Sequence, residues 1–204
     1  MIKLLHVNHS RSMRVLWMLE EVGADYEVLP LTFQDLYGKV DALTSRHPIG
    51  SVPIIEDGDL TLFESAVILD YLADTYGKGA FKPAFGAPDY YSYMQWLHYA
   101  EGLGTKPFTD FAQHTMLRDE DKRIAQVAQE CQERGAVILQ GYEKVLREDG
   151  YIVGDSFTAA DVANGYTINI AKAFGMLTDA LPKTHAYWER VTSRPAFKRA
   201  YGQA

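Results

Sequence analysis

Several absences narrow the possibilities. The 204 residues hold a single cysteine, Cys131, so neither a disulfide framework nor a cysteine-based metal cluster can form within one chain. No run approaches the ~18 consecutive apolar residues that a membrane-spanning helix requires. A cationic surplus is missing too: 20 Lys and Arg stand against 27 Asp and Glu, for a net charge of -7. That balance disfavours nucleic acid as a partner, and it means that an anionic ligand must be met by a local basic cluster. The opening run Met1 to Val7 is too short for a leader and is followed by polar and basic residues, not a cleavage site. The expectation is a cytoplasmic protein with no membrane and no nucleic-acid partner. With 47% hydrophobic and 23% charged residues, the composition is that of a globular protein of one large or two small domains.

What is present is ordered by type along the chain. Ile2 to Val7 is β-rich, and from Ser12 the apolar residues Val15, Leu16, Leu19 and Val22 fall at helical spacing until Gly23 stops them. Tyr26 to Leu31 reads as a second strand, which predicts a parallel βαβ unit. After a mixed segment, two β-rich runs flank Asp57-Gly58, a hairpin signal. Glu64-Ser65 then opens a helix carrying Ile68, Leu69, Leu72 and Tyr76 on one side. Residues 78–88 are rich in Gly and Pro and read as a linker between a domain at 1–77 and another at 89–204. Beyond the linker the pattern is helical throughout: Asp89 to Met116, Asp119 to Glu148, Thr158 to Phe174 and Pro182 to Ser193. Thr158-Ala-Ala-Asp161 is a capping box, with Phe157 and Val162 at the staple positions. Asp161 is therefore read as a cap and not as a catalytic acid.

Four motifs recur in order: Ser10-Arg-Ser-Met-Arg-Val-Leu-Trp-Met-Leu-Glu-Glu21, Pro48-Ile-Gly-Ser-Val-Pro-Ile-Ile55, Leu62-Phe-Glu-Ser-Ala-Val-Ile-Leu-Asp-Tyr-Leu72 and Gly154-Asp-Ser-Phe-Thr-Ala-Ala-Asp161. Arg194-Pro-Ala-Phe197 adds a fifth. On these motifs the whole chain resembles the cytosolic glutathione transferases, and within them a bacterial and fungal serine-type subgroup. The resemblance implies a thioredoxin-like N-terminal α/β domain with a mixed four-stranded sheet (βαβ–ββα), followed by an all-α C-terminal domain. It also implies an enzyme that activates glutathione and transfers it to a small hydrophobic electrophile, acting as a homodimer. Glutathione would be a co-substrate, with no cofactor and no metal.

The family pattern assigns residues to the N-terminal domain. Glu64 would face the ammonium of glutathione, and Ser65 would donate to the adjoining carboxylate at a helix N-terminus that favours anions. Val52-Pro53 would be a cis bond that leaves the Val52 backbone free to pair with the ligand like an added strand. Lys39, Arg46 and His47 are candidates for the glycyl carboxylate. Thiolate activation in the family uses Tyr, Ser or Cys. The loop Asn8 to Ser12 offers serine, with Ser10 first, Ser12 second (or a plain helix cap), and Arg11 as a donor of different geometry. Counting back from Val15 lands on His9, beside Ser10.

In the second domain, Tyr90, Tyr91, Tyr93, Trp96, Tyr99, Phe108 and Phe111 form an aromatic stretch. Such stripes are core more often than ligand wall, although the family lines its electrophile pocket from this region. His98 and Glu101 share a helix face with no third ligand at metal spacing, and Cys131 reads as an incidental thiol. A non-catalytic binding module on the same fold is the competing reading. Peroxidase, isomerase and dehalogenase activities would use the same thiolate.

Overall fold

A computed structural model describes residues 1–202. The first unit, Met1–Ala84, is built on a four-stranded sheet of order β2-β1-β3-β4. Strand β1 (Ile2–Val7) pairs parallel with β2 (Tyr26–Leu31) and antiparallel with β3 (Ile54–Asp57), which pairs antiparallel with β4 (Leu60–Phe63). The expected βαβ–ββα order and mixed sheet are borne out. β1 is central and is buried at all but one position, so it reads as a near-continuous apolar run. β2 lies at the edge, where Pro30 costs no interior ladder bond.

Helix α1 (Ser12–Val22) ends on Gly23 at φ 65°, whose N–H returns to the Leu19 carbonyl at 3.0 Å. The left-handed conformation suits glycine at this cap. Two short helices, α2 (Phe33–Gly38) and α3 (Asp41–Thr44), fill the connection to β3. The β3–β4 turn is a two-residue hairpin with Gly58 at φ 60°. The carboxylate of Asp57 accepts from Tyr71 at 2.8 Å and from Tyr76 at 2.5 Å, which ties that turn to helix α4 (Ser65–Thr75). Hydrogen bonding to Asp57, followed by burial, pushes the Tyr76 hydroxyl up to about 12.

The second unit, Phe85–Thr192, is helical. It comprises α5 (Tyr90–Tyr99), α6 (Lys106–Ala112), α7 (Ala125–Val145), α8 (Ala159–Ala173) and α9 (Pro182–Thr192). Single π-helical turns follow α5 and α6. The sequence expectation started the α7 segment at Asp119, six residues too early. The run Arg118 to Arg123 is charged throughout and has no apolar residue to bury, so it forms only a 3-10 turn at Glu120–Lys122. Tyr93 and Phe108, both 0% exposed, belong to this unit's core, which settles them as packing residues.

The split between the units after Ala84 falls within the expected 78–88 linker, while the end of the chain groups differently from the expected 89–204 domain. Residues 193–202 group with the N-terminal unit and form α10 (Pro195–Gly202). The cause is specific. Phe197 meets Trp17 edge-on at 4.9 Å, and Arg194 grips the Glu21 carboxylate with Nε at 2.6 Å and NH2 at 2.7 Å. Bidentate pairing of this kind, on a carboxylate only 4% exposed, carries more than an ordinary surface pair.

Candidate functional site

After β1 the chain turns sharply, with His9 at φ 62° and the Ser10 N–H returned to the Val7 carbonyl at 3.1 Å. Arg11 is the N-terminal boundary of α1 and its side chain caps nothing there. The Ser10 hydroxyl takes the Ser12 N–H instead, at 3.2 Å. Ser12 itself is 0% exposed. Its oxygen lies within hydrogen-bond distance of both backbone groups of Val7, of His6 Nδ1 and of Ser10 Oγ. Ser12 is thus part of the scaffold beneath the loop and does not face solvent, whereas Ser10 is half-buried and Arg11 exposed.

On the opposite side, Val52-Pro53 is cis. The β1–β3 ladder stops at Ile54, and no other described residue hydrogen-bonds the Val52 N–H or C=O. Glu64 sits at φ 71° at the N-cap position of α4, and its side chain makes no capping bond there. Ser65, 2% exposed, follows at the first helical position. Its Oγ lies 3.0 Å from NH1 of Arg14, and Arg14 is 0% exposed. A guanidinium has only donors, so the Ser65 oxygen accepts in this bond.

One cleft is lined by Arg11, His47, Ser51, Val52, Pro53, Glu64 and Ser65. Its wall offers an open strand edge, a helix N-terminus, one guanidinium and one carboxylate. That set complements a short zwitterionic peptide. The His47 ring packs on Phe63 at 4.5 Å, and its Nδ1 accepts from Ile49 N–H at 3.1 Å. Burial first, and Lys39 nearby, lower its pKa against the opposing pull of Glu64. The neutral ring then carries its proton on Nε2.

The other basic candidates are placed differently. Lys39 Nζ donates to the Gly50 carbonyl at 2.8 Å, at the rim and outside the lining. Arg46 is paired with Glu56 at 2.7 Å and does not reach the cleft. Ser10 lies beside the lining residue Arg11, and Ser12 lies behind it. Reading the sequence missed Arg14, His6 and Ser51. Arg14 had a signal: it is a lone charge among Met13, Val15, Leu16 and Met18 on a face that must be buried.

Comparison with known proteins matches residues 1–74 to "Glutathione S-transferase, N-terminal domain" and residues 105–195 to "Glutathione S-transferase, C-terminal domain". The chain is 31% identical over 192 residues to glutathione S-transferase F13 of Arabidopsis thaliana, covering 90% of this chain and 87% of that one. The chain belongs to the glutathione S-transferase family. The expectation of a family member, and of a transferase, is borne out. Among solved structures, a glutathione transferase homolog from Lodderomyces elongisporus with two GSH per subunit superposes at TM-score 0.91, 22% identity, covering 99% of this chain and 98% of that one. Ure2p5 from Phanerochaete chrysosporium, cocrystallized with 1-(S-glutathionyl)-2,4-dinitrobenzene, superposes at 0.86, 19% identity, covering 99% and 93%. At these identities the likeness speaks to the fold. Among the described residues, no helix is long and apolar enough to cross a membrane, and no group of three or more His, Cys, Asp or Glu could hold a metal ion.

His6, beneath the loop, is 6% exposed. Burial first, and the charge of His9 second, lower its pKa from 6.5 to about 4. A base depressed in the folded state stabilises the fold above its unfolded pKa, and that contribution fades as pH falls from about 6.5 to about 4. Discounted for residual solvent screening, the loss should be on the order of 2 kcal/mol. Urea titrations at pH 7 and pH 4.5 should show it, and His6→Asn should flatten the difference. An unchanged difference in that variant assigns the acid sensitivity to other groups.

Proposed function

We propose that the N-terminal cleft binds glutathione and holds its thiol as the thiolate for attack on a small apolar electrophile. The single observation behind this reading is the convergence of Val52, Glu64, Ser65 and Arg11 on one cleft, next to Ser10. The free backbone of Val52 would pair with the cysteinyl backbone of the ligand as an added strand. Glu64 would take the ammonium. Ser65, already accepting from Arg14, would give its proton to the neighbouring carboxylate at the α4 N-terminus. His47 Nε2–H and the two remaining protons of the Lys39 ammonium are suited to the glycyl carboxylate. No cofactor is needed, because glutathione is the co-substrate. The proteins from Lodderomyces and Phanerochaete, solved with GSH and with a glutathione conjugate, support this ligand class.

The thiol of glutathione has an ordinary pKa of about 8.5 and is mostly protonated at neutral pH. Ser10 would donate to the sulfur anion, Arg11 would supply positive charge from the cleft wall, and the thiol proton would pass to water. The sulfur then contributes the electron pair of a new carbon–sulfur bond while the leaving group of the electrophile departs with its own pair. Ser12 cannot share this role directly, since its hydroxyl is enclosed. Removing one donor to an anion costs roughly 1.5–3 kcal/mol. Ser10→Ala should therefore raise the bound thiol's pKa by about one to two units, with affinity nearly intact. Ultraviolet thiolate absorbance against pH measures this. A shift in Arg11→Ala without one in Ser10→Ala transfers the role to Arg11.

The proposed assembly is a C2 homodimer. Phe63 on β4 and Val67 on α4 are 36% and 47% exposed, an apolar pair at the surface of the first unit. Sedimentation should report twice the chain mass at micromolar concentration. A single-chain mass there, or Val67→Glu leaving the mass unchanged, rejects this surface.

A further inference from the structure

The oxygen of Ser12 has more neighbours than it can bond. It lies 3.2 Å from the Val7 nitrogen, 3.0 Å from the Val7 carbonyl, 2.8 Å from His6 Nδ1 and 2.8 Å from Ser10 Oγ. A hydroxyl gives one proton and accepts on two lone pairs. The Val7 N–H, a donor only, occupies one lone pair in every arrangement. The other can be filled by His6 or by Ser10, but not by both.

Two self-consistent patterns follow. With its proton on Nδ1, His6 fills the second lone pair, and Ser12 gives its own proton to Val7 O or to Ser10 Oγ. The Ser10 proton must then point away from Ser12. With its proton on Nε2, His6 accepts the Ser12 proton at Nδ1, and the open lone pair draws the Ser10 proton inward. Burial keeps the ring neutral near pH 7, so the choice lies between tautomers.

We infer that His6 is a positioning residue whose Nδ1–H, given to Ser12, turns the Ser10 hydroxyl proton outward to the glutathione sulfur. The inference rests on Ser10 being the thiolate donor. An anion at the loop pulls the Ser10 proton out, which opens the lone pair that Nδ1–H fills. Thiolate binding and the Nδ1–H tautomer are therefore coupled, each favouring the other.

Nitrogen-15 NMR of the His6 ring reports the tautomer directly. Glutathione at a pH where it binds as the thiolate should shift the ring towards Nδ1–H, while S-methylglutathione, which has no sulfur anion, should not. His6→Phe removes the donor and should raise the bound thiol's pKa by about one unit. His6→Asn, which keeps an N–H near the Nδ1 position, should restore most of it. On the Ser10→Ala background, His6→Phe should add nothing. If Ser10→Ala shifts the titration but the ring tautomer ignores the thiolate, the His6 inference fails and the Ser10 assignment stands. If Ser10→Ala shifts nothing, the assignment falls and the inference goes with it. Should His6→Phe not fold, the tautomer measurement on the unaltered chain decides alone.

Discussion

Replacing Arg14 with methionine is expected to weaken glutathione binding roughly 10- to 100-fold. The guanidinium is wholly buried, and its NH1 donates to Ser65 Oγ at 3.0 Å. It fixes the Ser65 hydroxyl and places positive charge behind the N-terminus of α4. A hydrogen bond from a charged donor is worth about 1.5–3 kcal/mol, and each 1.4 kcal/mol is tenfold in affinity. Methionine preserves most of the apolar stem, so packing changes little. The stability effect has either sign, because removing a buried charge also removes its desolvation cost. Affinity by calorimetry is therefore the readout, with Arg14→Lys as the variant that keeps the charge and loses the planar fork. If Arg14→Met binds as tightly as the unaltered chain while Glu64→Ala does not, the buried guanidinium has no part in the anion site.

Asp161→Ala should cost about 3–4 kcal/mol of stability at pH 7, a large share of the roughly 5–15 kcal/mol that holds a typical domain folded. The carboxylate is fully buried at the start of α8. It accepts from Ile152 N–H at 2.8 Å, Thr158 N–H at 2.8 Å, Thr158 hydroxyl at 3.0 Å and Tyr187 hydroxyl at 2.9 Å. Burial pushes its pKa up to about 6 against the pull of these bonds. Alanine would strand three buried donors and the partly buried Ile152 N–H, each buried one costing about 1–3 kcal/mol when fully unsatisfied, with relaxation and water entry recovering part. Asp161→Asn keeps one acceptor and should lose less. Urea unfolding followed by far-ultraviolet circular dichroism checks both, and a loss under 1 kcal/mol in Asp161→Ala would show the cap to be dispensable.

How much of this was legible varies with distance along the chain. The hairpin at Gly58, the stop at Gly23 and the Thr158–Asp161 cap are read from residues within a few positions of each other, where backbone preference and side-chain reach decide the outcome. The strands and helices of the first unit follow from apolar spacing, and Glu64-Ser65 announces itself as a helix start. Those features were determined by the sequence itself, because the interactions that create them are local.

The cleft was not readable in the same way. Arg14 reaches Ser65 across 51 positions, and Arg194 reaches Glu21 across 173. Whether Ser10 or Ser12 stays accessible depended on which hydroxyl the turn at His9 encloses, and the structure buries Ser12. Arg46 and Lys39 resemble each other in sequence, yet one is paired with Glu56 and the other leans on Gly50. Charge pairing, burial and the direction of a proton are set by neighbours that meet only when the sheet and its helices close. The sequence therefore determined which elements form, and the tertiary structure decided which of their side chains the cleft can use.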